Sequence, residues 1–290
     1  MDGIMQTPLW IVKLRQLPDR HSPHDGMHCA PLSTGILMML TQTAHNQICW
    51  YAEGAFRDPS PALFDPAWWQ THRQVVGSAI GRGVTWFVKD ESRHLVLRHY
   101  YRGGMVGKLV RDRFWFEGVE SSRAMAEYRL LAQLSEQGLP VPRPFAARMV
   151  KQGPFYRADI LIERIRGAKD LVALLKQGPI ADQVWHKVGQ TVRQLHDAGV
   201  YHADLNSHNL LLDKEGKVWV IDFDKGAIRS PGNWQQANLE RLQRSFSKES
   251  QLHTSFHFVP DSGTRQVRVY ALPAIAGMVV PSSAYSFSLL

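Results

Sequence analysis

The residues of this sequence best suited to chemistry lie between Val200 and Asp224, where the chain reads V-Y-H-A-D-L-N-S-H-N-L-L-L-D-K-E-G-K-V-W-V-I-D-F-D. His202, Asp204 and Asn209 form H-x-D-x-x-x-x-N, and Asp222 opens D-F-D thirteen residues after Asn209. An amide oxygen beside a carboxylate suits a hard divalent cation, which takes oxygen ligands and keeps water and phosphate in its shell. Asp204, a few residues upstream, can accept the proton of an attacking hydroxyl. Leu210–Leu212, the turn Asp213-Lys214-Glu215-Gly216 and Val218–Ile221 predict a hairpin. Such a hairpin returns the chain and brings Asn209 beside Asp222. The chemistry implied is metal-assisted phosphoryl transfer. A zinc site of His202, Asp204 and His208 is the rival reading, and it leaves the downstream acidic pair without a task.

This order of Asp, Asn and Asp is the layout of protein-kinase sites, so the elements that would present a nucleotide to it are sought upstream. Gly77 to Val88 carries Gly81 and Gly83 between β-formers, which predicts a strand–loop–strand whose backbone N–H groups can approach phosphate. His94 to Tyr100 alternates as a strand and places Arg98 where kinases carry a phosphate-binding lysine. Arginine is not its equivalent, although its planar fork binds phosphate. Ser122 to about Gln137 predicts a helix, capped by Ser121 or Ser122 and closed by Gly138. Glu127 sits against its apolar stripe of Ala124, Tyr128, Leu131 and Leu134, which favours an ion pair with Arg98 over an ordinary surface position. The strand through Ala158–Ile162 runs into Glu163, where a hinge would let backbone groups bind adenine. Leu171–Lys176 and a longer segment from Ile180 to Ala198, ended by Gly199, predict the helices that lead into the catalytic loop.

Composition narrows the setting. A formal charge of +8 and a pI near 9.6 point to an anionic partner. The two cysteines, Cys29 and Cys49, have neither metal spacing nor a disulfide framework, and no apolar run reaches membrane-spanning length. A cytoplasmic protein follows. Residues 1–35 mix Pro, His, Asp and Ser without a period and are expected to be a poorly ordered leader. Met38-Met39 offers an alternative start, which predicts that a chain beginning at Met38 is as stable and active as the full one. The aromatic residues from Trp50 to Trp69 are expected to form a packed edge rather than a ligand cage. From Arg93 to Arg113 there are six Lys or Arg against one acid, Asp112, and the following Phe114, Trp115 and Phe116 suit a lipid interface as well as a core. No nucleic-acid-binding motif is present. Residues 258–290 turn Ser-, Pro- and Val-rich and are expected to be an atypical, poorly packed tail of the kind a frameshift leaves.

Taken together, Gly81-Arg82-Gly83, Leu97-Arg98-His99-Tyr100, Gly138-Leu139-Pro140-Val141-Pro142, His202-Ala203-Asp204-Leu205-Asn206 and Ile221-Asp222-Phe223-Asp224-Lys225-Gly226 carry a resemblance. The sequence is similar, from about Trp50 to Lys248, to the bacterial lipopolysaccharide-core kinases that act on Kdo (3-deoxy-D-manno-octulosonic acid). The resemblance implies an α+β, protein-kinase-like, two-lobed fold. Its N-terminal nucleotide-binding lobe (36–162) would be an antiparallel sheet plus one helix. Its C-terminal catalytic lobe (163–257) would be mostly helical, with the catalytic hairpin. It further implies an ATP-dependent phosphotransferase with Mg2+, acting on a Kdo hydroxyl of a lipid A precursor. The setting would be peripheral contact with the cytoplasmic face of the inner membrane of a Gram-negative bacterium, with no nucleic acid or protein partner inferred. Asp204 would then be the catalytic base, Asn209 and Asp222 the metal ligands, and Gly81, Gly83, Arg98, Glu127 and Glu163 the nucleotide site.

The sequence departs from protein kinases in telling ways. Ala203 replaces an arginine, no A-P-E follows Asp222, and 68 residues (290 − 222) remain after it, too few for a peptide-binding lobe. Asn206 stands in a lysine's place, with Lys225 a substitute for the phosphate contact, and Asp224 in a glycine's place is either a further metal ligand or a cap. Alternative functions are an aminoglycoside- or choline-type phosphotransferase and a non-catalytic pseudokinase scaffold.

Overall fold

The structure, a computed structural model, describes residues 39–81, 83–102 and 112–258. The expected leader, the basic run from Gly103 to Arg111 and the expected tail beyond Phe258 lie outside the described residues. The chain forms two compact units. Among the described residues, the first comprises 39–168 with His202–Asp204 and Trp219–Ala227; the second comprises Lys169–Tyr201, Leu205–Val218 and 228–258.

The first unit is built on an antiparallel sheet. Its strands are β1 (Met39–Ala44), β2 (Gln47–Ala52), β3 (Val75–Ile80), β4 (Val84–Asp90), β5 (Arg93–His99), β6 (Phe114–Trp115), β7 (Pro144–Gln152) and β8 (Phe155–Glu163). They are ordered β1-β2-β7-β8-β5-β4-β3, with β6 paired to β8. Alternation along β5 decides what each face does. Leu95 and Leu97 point into a core with Tyr51, Phe64, Trp69, Val88 and Leu161, so Arg98, the residue after Leu97, is turned to the opposite face. The aromatic segment is thus packed, as expected, but as part of the core rather than an edge, and a short helix α1 (Pro66–Thr71) belongs to it. The resemblance implies one helix in this lobe; among the described residues there are two α-helices.

The other helix is α2 (Arg123–Glu136), whose buried stripe of Ala124, Tyr128, Leu131 and Leu134 includes Glu127. Gly138 (φ +73°) closes it: Gly138 N–H donates to the Ser135 carbonyl at 3.1 Å and Leu139 N–H to that of Leu134 at 3.1 Å. This is a Schellman arrangement, which a left-handed residue makes possible. Its start corrects the expected cap. Ser122 holds the N-cap position, but its hydroxyl donates 2.7 Å to the Val119 carbonyl and caps no helix N–H.

The second unit contains β9 (Lys169–Asp170), α3 (Leu171–Leu175), α4 (Asp182–Asp197), β10 (Val200–Tyr201), β11 (Leu210–Leu212) and α5 (Trp234–Leu252). β12 (Val218–Val220) and β13 (Ala227–Ile228) complete the described chain. β11 pairs with β9, and Asp170 caps α3 by accepting from Ala173 N–H at 3.0 Å. Gly199 (φ +71°) ends α4, and a Cβ there would lie 2.9 Å from the Arg229 carbonyl. Trp185 of α4 meets Phe246 of α5 with ring centroids 5.3 Å apart, and Phe258 stacks on Phe246 at 5.0 Å. At 7% exposure Phe258 is a core residue, so the segment expected to pack poorly from this position on begins instead with a buried anchor.

Candidate active site

Arg98 is the centre of the geometry. From β5 its guanidinium reaches Glu127 of α2 (Nη2 to Oε2, 2.5 Å) and also pairs with the Asp222 carboxylate. Tyr100 donates its hydroxyl to the same Glu127 oxygen at 2.5 Å. Glu127 is only 2% exposed, so the alternative of an ordinary surface glutamate falls away. Burial pushes its carboxyl above the usual carboxylate range, against the pull of Arg98. Burial also works against the Arg98 charge, but Glu127, Tyr100 and Asp222 outweigh it and hold its pKa well above the ordinary value. The Arg98 Nε and the second Glu127 oxygen, Oε1, are buried without a hydrogen-bond partner.

Asp222 is itself unusual, with φ +64°, and Lys225 follows at +63°. Left-handed backbone at a non-glycine costs about 1 kcal/mol, less for Asp than for most residues, and persists only where surroundings enforce it. Here Phe223 is wholly buried, and a Cβ on Gly226 would lie 2.8 Å from Leu130 Cδ2 of α2. A cleft of about 150 Å3 opens beside this loop, lined by Gly81, Gly83, Thr85, Arg98, Asp222 and Asp224. The β3–β4 hairpin that supplies its glycines is closed by Gly81 N–H donating 2.9 Å to the Gly83 carbonyl. Gly83 has a second reason to be small, since a Cβ there would run into the Tyr101 ring.

Asp204 is tied to the same loop through His202. The Asp204 N–H donates to His202 Nδ1 at 3.1 Å, and His202 Nε2 lies 3.0 Å from the Ile221 carbonyl. Nδ1 therefore accepts and Nε2–H donates, which fixes a neutral tautomer. The ring also meets Phe223 edge-on at 4.8 Å. The chain thus brings Asp204, Asp222, Arg98, Glu127, Gly81 and Gly83 into one unit.

A model of the lipopolysaccharide kinase (Kdo/WaaP) family matches residues 66–259. A 3-deoxy-D-manno-octulosonic acid kinase of Vibrio parahaemolyticus is 50% identical over 204 residues, 70% of this chain and 86% of that protein. The chain belongs to the lipopolysaccharide kinase (Kdo/WaaP) family. Proteins of the same description from Vibrio cholerae and Photobacterium profundum are 45% identical over 212 residues and 46% identical over 228. These matches cover 73% and 79% of this chain and 90% and 96% of theirs. The α+β fold, with its antiparallel sheet and few helices, is the protein-kinase-like one expected of this kinase.

Several features of this family member were not foreseen. In the second unit, Asn206 Oδ1 accepts from His208 N–H at 2.9 Å and Asn209 N–H at 3.1 Å. It therefore caps the single turn Ser207–Asn209. Ser207 is fastened to α5 by Ser245, hydroxyl to hydroxyl at 2.7 Å. Asn209 is buried there, at 8% exposure. At the end of β8, the Glu163 N–H donates 2.8 Å to the Arg143 carbonyl, and its carboxylate accepts from Arg143 N–H at 3.2 Å. Of the backbone groups expected to bind adenine at this hinge, the Glu163 N–H thus already has a partner. Arg123 was not singled out from sequence; its guanidinium grips the Asp224 carboxylate, with Nε 2.7 Å from Oδ1.

The residues present fit a divalent ion of the magnesium type. Among the described residues no three His, Cys, Asp or Glu side chains gather into a self-sufficient metal site. Magnesium typically takes one or two carboxylates and completes its shell with water and substrate phosphates, and Asp222 beside the cleft offers such a carboxylate. The zinc alternative fails: both ring nitrogens of His202 are already engaged within the protein.

Proposed function

We propose that this kinase transfers the γ-phosphoryl group of ATP to a hydroxyl of Kdo on a lipid A precursor. The observation that carries the reading is Arg98, a cation held between the buried Glu127 and Asp222 at the mouth of a glycine-edged cleft. The relatives' description as Kdo kinases supports the acceptor.

In this reading Gly81 and Gly83 bring backbone N–H groups over the nucleotide, and Arg98, oriented by Glu127, neutralises its phosphates. Asp222 would be a ligand of Mg2+, as would Asn209 by its place in the kinase-like motif, and the ion would offset charge on the transferring phosphoryl oxygens. Asp204 orients the Kdo hydroxyl and accepts its proton as the oxygen attacks. The His202 contacts to Asp204 N–H and the Ile221 carbonyl keep base and metal loop in step. Glu163 marks the edge of the adenine site.

The formal charge of +8 suits an anionic glycolipid. We place the enzyme peripherally at the cytoplasmic face of the inner membrane of a Gram-negative bacterium. Among the described residues no helix is long and apolar enough to cross a membrane. Trp115, at 59% exposure, and the hairpin-tip Ile80 offer apolar groups to an interface, whereas Phe114 is buried against Tyr156. Radiolabelled ATP with purified Kdo-lipid A precursor tests the proposal. Label should enter the glycolipid with magnesium present and not after chelation. Transfer to aminoglycosides or choline instead, or no transfer to any acceptor, would overturn it.

A further inference from the structure

We propose that Asp224 is a positioning residue, not a metal ligand: clamped by Arg123, it fastens the loop carrying Asp222 to the helix carrying Glu127. The inference rests on the role given above to Asp222.

Arg123 breaks a local rule. It is the first residue of α2, where the partial positive charge of the helix N-terminus disfavours a cation, and no acidic residue follows in the first turn. Ser122 supplies no side-chain cap to soften this. A sequence that violates helix electrostatics commonly does so for a partner outside the helix. That partner is Asp224. Arg123 Nε meets Asp224 Oδ1 at 2.7 Å while Nη2 meets Oδ2, so a two-pronged fork occupies both carboxylate oxygens. A metal could be bound there only by displacing the guanidinium.

The guanidinium is itself held in place. It lies over the rings of Phe114 (4.7 Å) and Tyr100 (5.6 Å), and the backbone N–H of Arg123, not its guanidinium, donates to the Tyr156 hydroxyl at 3.0 Å. The clamp is also part of a larger pattern. Along α2, Arg123, Glu127 and Leu130 follow at i, i+4 and i+7, one stripe of the helix. Arg123 holds Asp224, Glu127 reaches Asp222 through Arg98, and Leu130 abuts Gly226. The loop of residues 222–226, with its two left-handed residues, is therefore held at every second position by a single helical stripe.

The test uses the full chain with Asp224→Asn, Arg123→Gln, the double variant, and the exchange Arg123→Asp with Asp224→Arg. Two quantities are read: kcat and KM on the glycolipid acceptor, and binding of a fluorescent ATP analogue against magnesium concentration without acceptor. Each single variant should lower kcat about tenfold with KM for ATP changed less than about threefold, and the double variant should be no worse than either. A coupling of at least about threefold is expected for residues in direct contact. The exchange should recover part of the loss, and the magnesium dependence of analogue binding should hardly move. Loss of magnesium-dependent binding in Asp224→Asn with Arg123→Gln unaffected would make Asp224 a ligand and overturn the proposal. Additive losses with no recovery on exchange would overturn it too. Should a variant unfold, Arg123→Lys and Asp224→Glu keep the charges and lose only the fork geometry, and must fall between wild type and the singles. If the wild type transfers no phosphate to the glycolipid, the functional reading fails. The clamp is then judged by the same four-variant cycle in analogue binding and thermal unfolding.

Discussion

In the first unit a strand, a helix and a loop meet through charge: Arg98 joins Glu127 to Asp222, Arg123 joins α2 to Asp224, and His99 lies between Asp159 and Asp112. In the second unit the helices meet through aromatic rings, Trp185, Phe246 and Phe258, and α4 adds the buried His196 against Trp234. The difference follows from what each must do. An ion pair can be re-partitioned when an anionic nucleotide and a cation arrive, because the incoming charges compete for the same guanidinium and carboxylates. A packed aromatic cluster has no such alternative and holds one arrangement. The unit that carries Arg98 and Asp222 should therefore respond to charge and pH, while the aromatic framework should respond mainly to lost volume.

Three sets of variants can break that contrast. Phe246→Ala removes a fully buried ring and should cost about 3–5 kcal/mol in denaturant unfolding, with little dependence on salt. Arg98→Met should cost about 3 kcal/mol because it strands the buried Glu127 carboxylate; adding Glu127→Leu should return part of that loss. If the double variant is no more stable than Arg98→Met, the two side chains are not coupled and the electrostatic account of the first unit is wrong.

Histidine titration gives the smallest and most diagnostic effect, with opposite signs in the two units. Burial lowers His196 to about 4, so between pH 6.5 and 4 the unfolded chain takes up a proton that the folded chain refuses. Stability should fall by about 2–3 kcal/mol as pH drops through that window, and His196→Gln should flatten the fall. For His99 burial acts downward, but hydrogen bonds and charge from Asp159 and Asp112 outweigh it and raise the folded value. Its stabilisation is complete below the unfolded value near 6.5 and is lost as pH rises through the raised folded one. His99→Gln should remove that alkaline loss. A common sign for both histidines in pH-dependent unfolding would contradict the contrast.

The sequence made local structure readable and left distant pairing hidden. Gly138 and Gly199 announce helix ends because left-handed closure is a local demand, and Glu127 betrays its burial by lying in an apolar stripe. The β1–β2 hairpin escaped notice because its turn at Ala44–Asn46 has neither glycine nor proline; His45 adopts φ +50° instead. Arg123 and Asp224 are 101 residues apart, and Arg98 and Asp222 are 124 apart. No period or spacing in one sequence links such pairs. A signal for Arg123 was nonetheless present: a cation at a helix start with no acidic residue in the first turn. Asn206 was read by its place in a motif, whereas an Asn ahead of a single turn is equally a cap. Phe258 was judged with the composition that follows it, although its role is set by the rings it touches.

The central claim is that Asp204 serves as base in a phosphoryl transfer prepared by Asp222 and Arg98. Single-turnover transfer from labelled ATP to Kdo-lipid A precursor by Asp204→Asn tests it most directly. Nucleotide affinity should stay within about threefold of wild type while the transfer rate falls by on the order of a hundredfold or more. Transfer at the wild-type rate would contradict the account.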